Sequence, residues 1–316
     1  MTVPQTTPLL LLSEYVSVTN AGSATPGSIA NMDATQASRL RDGLLKASDY
    51  VQRICKRRFD ERIETRPYTS LDERVGGDLL GPYDLQLDDD CKSAIVVTNG
   101  DGQVLSGYKL IQSAKDPGSN VNYATQVHLN IYGGVIWRSG GNDPIEAISV
   151  QGIWGYGGQW VPAVTGGGTQ QVLTANLNQG ATVMTVTDGT ALEPGMVLKL
   201  VNNGTTPPTI EYLYVDVIPS TSGGNVSIGR AFNGSSSPSV AWASGTTLAY
   251  WQAVDTVRDL IRRLVQWKVQ QIQTPVSTTA TVGDFSFPVG LDGLPKDIYL
   301  MLRDTSLRKS VGAIAV

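Results

Sequence analysis

Few side chains in this sequence could do chemistry. The one histidine, His128, sits in the run QVHLNIYG, the two cysteines are Cys55 and Cys91, and three adjacent aspartates, Asp88, Asp89 and Asp90, close an acidic stretch. A Cys55–His128 pair would be a thiolate with its base. Alternation along the run, however, puts His128 beside Asn130 and opposite Val127 and Leu129, so a polar strand face accounts for it. Between Leu71 and Asp90 seven acidic residues face one basic residue, Arg74, a composition expected of an exposed loop. Asp88–Asp90 lack the spacing and the turn glycine of a calcium loop. GIWGYGG holds Gly155 and Gly157 but not the third glycine of a dinucleotide turn. The tryptophans at 137, 154, 160, 242, 251 and 267 raise carbohydrate stacking, yet their scatter favours core and interface packing. No catalytic constellation forms. The expectation is a protein that is not an enzyme and uses no cofactor or metal.

A different feature stands out. ASDYVQRICKRRF, residues 47–59, carries Arg53, Lys56, Arg57 and Arg58 in a chain of net charge −4. An acidic balance argues against a protein that coats nucleic acid by releasing counterions, while it suits a channel through which DNA slides. Two cysteines are too few for a disulfide framework and read as reduced thiols. The longest purely aliphatic run, Leu9–Leu12, is far shorter than the roughly 20 residues of a spanning helix. It has no basic flank before it, so neither a membrane segment nor a signal peptide is expected.

The elements that would position these groups follow from periodicity. Residues 20–32 have linker composition, and Asp33 with Gln36 fits a capping box. Leu40, Leu44, Ala47, Val51 and Ile54 then recur at helical spacing, while Arg39, Lys46, Arg53 and Arg57 line another face. That basic stripe has three readings: a solvated face, a DNA contact, or a subunit interface. Residues 63–153 read as short strands: AIVVTN, VLSGYKLI, QVHLNIYG and AISVQGIWGY. Residues 164–249 hold only six charged side chains and alternate as strands, which suggests a separate β domain entered through Gly166–Gly168. Helix returns at 250–273, with a wide apolar arc through Val254, Val257, Ile261, Leu264, Val265 and Ile272 whose natural partner is the helix at 33–58. A short helix follows at about 295–309.

The expected fold class is therefore α+β: a small helical core made by the long N-terminal and long central helices, a β-sheet region, and an inserted all-β domain. The expected divisions are an N-terminal segment and linker at 1–32, a core of 33–163 plus 250–309, the insertion at 164–249, and a tail at 310–316.

Several segments, in order, resemble a known family. LLLLSEYVSVTN, then LRDGLLKASDYVQRICKRRFDERIETRPY, then ISVQGIWGYGGQWVP, then GDFSFPVGLDGLPKDIYLMLRD are similar to the head–tail connector (adaptor) proteins of tailed bacteriophages. The likeness covers roughly residues 9–162 and 250–309. The stretch TVMTVTDGTALEPGMVLKL, with Glu211 and VSIGRAFNGSSSPSVAWASGTTL, resembles a β module of several phage structural proteins. The resemblance implies a virion protein of the neck, assembled in the host cytoplasm as a ring, commonly of twelve copies. The ring would lie under the portal protein and meet a downstream neck or tail-completion protein. Genomic double-stranded DNA would pass through it without sequence-specific contact, and no membrane is involved. In such a ring the basic stripe (Arg39, Lys46, Arg53, Arg57) would meet Asp88, Asp89 and Asp90 of the neighbour, a heterologous contact that closes into a cycle. The tail SVGAIAV, with Val311, Ile314 and Val316, would dock on the portal, steered by Arg303, Arg308 and Lys309. The alternative is a virion adhesion or carbohydrate-binding protein acting through the 164–249 domain.

Overall fold

A computed structural model describes residues 7–19, 34–71, 77–112, 123–139, 143–205, 208–217, 224–235, 240–273 and 293–303. The linker at 20–32, the capping residue Asp33 and the tail at 310–316 lie outside them. The chain forms two compact units, one of Met1–Arg57, Gly158–Phe232 and Ser236–Val316, the other of Arg58–Gly157 with Asn233–Ser235.

The second of these is built on one antiparallel sheet. Its strands are β1 (Arg62–Tyr68), β2 (Asp84–Thr98), β3 (Val104–Leu105), β4 (Tyr108–Gln112), β5 (Ala124–Leu129) and β6 (Ile148–Trp154). They lie in the order β1-β6-β2-β5-β4, with β3 paired to β2. β6 shows why such a run folds as a strand: Ile148, Val150 and Trp154 are buried while Ser149, Gln151 and Ile153 are half-buried between them. Pro67 is tolerated in β1 because β1 is an edge strand, paired among the described residues with β6 alone. The core gathers Leu85, Leu87, Val97, Val127, Leu129, Ile148, Val150 and Trp154.

Among its described residues the other unit combines four helices with a second antiparallel sheet. The helices are α1 (Leu12–Thr19), α2 (Ala34–Cys55), α3 (Asp255–Gln273) and α4 (Lys296–Arg303). The strands β7 (Gln159–Pro162), β8 (Val183–Thr185), β9 (Val197–Asn202), β10 (Thr209–Val217), β11 (Asn225–Gly229) and β12 (Ala249–Gln252) are ordered β7-β12-β9-β10-β11-β8. α2 packs on α3 and on α4, and α1 on α2. Leu44, Ala47, Val51 and Cys55 form the buried face of α2, and Val257, Leu260, Ile261, Leu264 and Val265 that of α3. The second sheet has its own core, with Leu198, Leu200, Leu213, Val215, Val226 and Leu248 at its centre.

This corrects the expected fold class. The helix pair is present, but the described protein is predominantly β, with two six-stranded antiparallel sheets and four helices. Each sheet gathers an apolar core from its strands and the segments between them, with no residue of the helix pair in either core. The sheet of the 164–249 region also takes in strands on both sides of it: β12 pairs with β7 and with β9.

Candidate functional site

α2 carries the basic stripe. Arg39 and Arg53 are exposed and Lys46 and Arg57 half-buried. The Lys46 ammonium sits 2.9 Å from Asp42, one turn earlier. The Arg53 guanidinium lies 5.7 Å from the centroid of the Tyr50 ring. The helix ends in a Schellman arrangement: the Arg57 N–H donates to the Gln52 carbonyl, the Lys56 N–H to that of Arg53, and Lys56 takes a left-handed φ of 51°. Lys56 and Arg53 thus stand at the negative end of the helix dipole.

The acidic segment is not where the sequence suggested. Asp88, Asp89 and Asp90 lie within β2, and Asp90 is buried, its carbonyl accepting the Gly155 N–H. Flanking Leu85, Leu87 and Cys91 are buried, and the register against β5 shifts between Gln86 and Cys91, so the acidic run falls at an irregularity of the ladder. The expectation of an exposed loop is therefore corrected. α2 and β2 belong to different units.

Of the residues assigned to portal docking, Arg303 is described. It is exposed at the end of α4 and donates to the Tyr299 hydroxyl at 2.8 Å. Arg308, Lys309, Val311, Ile314 and Val316 lie outside the described residues.

The chemically capable groups have local partners. His128 Nδ1 lies 2.7 Å from Asp84 Oδ1, and Lys109 is its cross-strand neighbour on the other side. Cys55 and Cys91 are both buried and belong to different units. Among the described residues no group of three or more His, Cys, Asp or Glu could hold a metal ion. Gly155 serves geometry: its φ is 128°, and a Cβ there would fall 2.4 Å from the Asp60 carbonyl oxygen. Trp242, the one tryptophan of 164–249, is buried, so its ring is not presented for sugar stacking.

Two constellations were not foreseen. In the second sheet Glu211 is fully buried and accepts both arms of Arg230, Nε at 2.8 Å and Nη2 at 2.7 Å. Arg230 also donates to the Asn178 and Val240 carbonyls, and Trp242 Nε1 donates to Glu211. This bidentate, carbonyl-satisfied pair ties four separate stretches of chain together. A signal existed: Glu211 shares the inward register of Leu213 and Val215.

The second constellation is a cleft of about 1120 Å³ in the same unit, bounded by Pro8–Ser13, the early turns of α2, residues 190–196 and the end of β10. Glu193 is 8% exposed within it. Its Oε2 accepts the Ser13 N–H at 3.1 Å, and its Oε1 has no hydrogen-bond partner. Burial pushes the Glu193 carboxyl above the usual range, against the opposing pull of Ser13 and Arg41. Arg41 Nε is likewise buried without a hydrogen-bond partner. Burial also raises the Tyr214 phenol on the far wall.

No family model, curated protein or solved structure matches the chain.

Proposed function

We propose that the chain is a structural virion protein, a head–tail connector forming a ring under the portal through which DNA passes. One observation carries the reading. The connector-like segments fall, in chain order, on a long helix (α2), two strands paired with each other (β1 and β6), and a second helix (α3) packed on the first. RIETRPY is β1 and ISVQGIW is β6, with Gly155 directly after it. The exposed arginines of α2 support the assembly part of the reading: Arg39 and Arg53 are cations on a helix whose other face is buried. A charged surface of this kind sets register and partner choice more than affinity.

The test is the particle made without the chain. A phage lacking it should accumulate DNA-filled heads without tails, and the supplied protein should restore tail joining in an extract. Normal tailed particles in its absence would contradict the connector reading.

A further inference from the structure

The two edges of the 58–157 sheet, β1 and β4, are finished differently. Alternate residues of an antiparallel edge strand turn their backbone N–H and C=O toward the neighbouring strand and away from it. On β6 the Gly155 N–H goes to Asp90 of β2, so Trp154 before it bonds to its opposite number in β1, Arg62. Ile63, Thr65 and Pro67 are then the outward positions of β1. That edge is blunted. Pro67 offers no N–H, and Gly234 packs so closely that a Cβ on it would fall 2.0 Å from the Ile63 carbonyl oxygen.

The β4 edge carries no such device. The Asn130 N–H donates to the Gly107 carbonyl, while the Leu129 N–H turns the other way, to Tyr83. Because Tyr108 stands opposite Leu129, the backbone groups of Lys109 and Ile111 face β5 and those of Tyr108 and Leu110 face outward. Among the described residues nothing hydrogen-bonds to these two N–H and two carbonyl groups. The side chains alternate as well. Tyr108 and Leu110 are half-buried against the apolar core of the sheet, while on the other face Lys109 is exposed and Ile111 is 40% exposed. Lys109 has no ion-pair partner among the described residues.

We propose that β4 receives an antiparallel strand of another protein, one that carries an acidic residue between two apolar ones. The added backbone satisfies the outward groups of Tyr108 and Leu110, and alternate side chains provide the selectivity. The two apolar residues stand opposite Tyr108 and Leu110 and extend the core. The acid stands opposite Lys109, a cross-strand placement that opposite charges favour. A second β4, paired about Leu110, is the competing occupant; it sets Lys109 against Ile111 and brings no carboxylate. The β1 edge of another copy is closed by Pro67 and Gly234. The site does not depend on the connector reading.

The probes are the fluorescent, amidated pentapeptides TVEVT and TVKVT, titrated with the full-length chain. Saturable binding of TVEVT is expected, about fivefold tighter than that of TVKVT. Lys109→Glu should reverse that order. TVEVT methylated on the backbone nitrogen of both valines should bind about tenfold more weakly, a test that leaves the chain unaltered. Leu110→Pro, which removes an outward N–H, should act in the same direction in a protein that keeps its circular dichroism spectrum. No saturable binding, a peptide order unmoved by Lys109→Glu, or equal binding of the methylated peptide overturns the proposal. So does a dimer of the chain that Leu110→Pro turns into a monomer, which would give the edge to a second copy.

Discussion

The two sheets handle charge in opposite ways. In the 58–157 sheet the polar pairs keep contact with water: Arg66 holds Glu64, and the His128 ring meets Asp84 with side chains about one-third exposed on both sides. Where an acid is sealed there, as with Asp60 and Glu61, its cation (Arg62 or Lys92) is still partly exposed. The sheet of β7–β12 has almost no charge, yet it encloses Arg230 at 4% and Glu211 at 0% side-chain exposure. The difference is one of role. Exposed pairs are screened and worth little, whereas an enclosed, fully satisfied pair enforces one arrangement of the segments it joins, at the risk of a large loss if either member goes.

The largest expected effect follows from that contrast. Arg230→Met leaves Glu211 buried beside Trp242 without its cation and should cost about 3–5 kcal/mol in denaturant unfolding. Adding Glu211→Leu should recover a large share of the loss. A cost under about 1 kcal/mol, the surface value, would erase the distinction between the sheets.

Next comes the helix layer. Leu264 is fully buried on α3, and Leu264→Ala should cost about 2–5 kcal/mol. Because α3 and β7–β12 lie in one unit, this loss should appear in the same transition as that of Arg230→Met. Two separate transitions would detach the helices from the second sheet.

Glu193 sharpens the comparison through pH. Its raised carboxyl holds a proton more tightly in the folded chain than in the unfolded one. Its contribution therefore favours the fold at low pH and is lost as pH climbs from the ordinary 4.5 through the folded value. Glu193→Gln keeps an acceptor for Ser13 but carries no charge, so its stability relative to the natural chain should improve as pH rises above 4.5. Parallel stability curves for the two proteins would rule this out. The smallest effect belongs to the exposed pair: Asp84→Asn should change stability by about 0–1 kcal/mol, and salt should diminish even that.

What could be read in advance was local. The spacing of Leu44, Ala47 and Val51 identified α2, that of Val257, Ile261 and Leu264 identified α3, and the alternation of ISVQGIW identified β6. What could not be read depended on distant pairing. β12 joins β7 and β9 across the 164–249 stretch, so a region whose composition reads as a separate insertion shares a sheet with the strands on either side of it. Asp88–Asp90 look like a loop by composition, yet they lie within β2, where its register against β5 shifts between Gln86 and Cys91. The cleft forms where Pro8–Ser13 meets 190–196, residues with no pattern in common. Glu211 was legible in principle, being a lone acid on an inward register.

The connector account stands or falls on assembly. The most direct measurement is the native mass of the full-length chain alone and after mixing with portal rings from the same phage. The account predicts a small species alone and, with the portal, a single complex whose added mass is a whole ring of copies. A chain that stays at the same small mass in the presence of portal rings would contradict it.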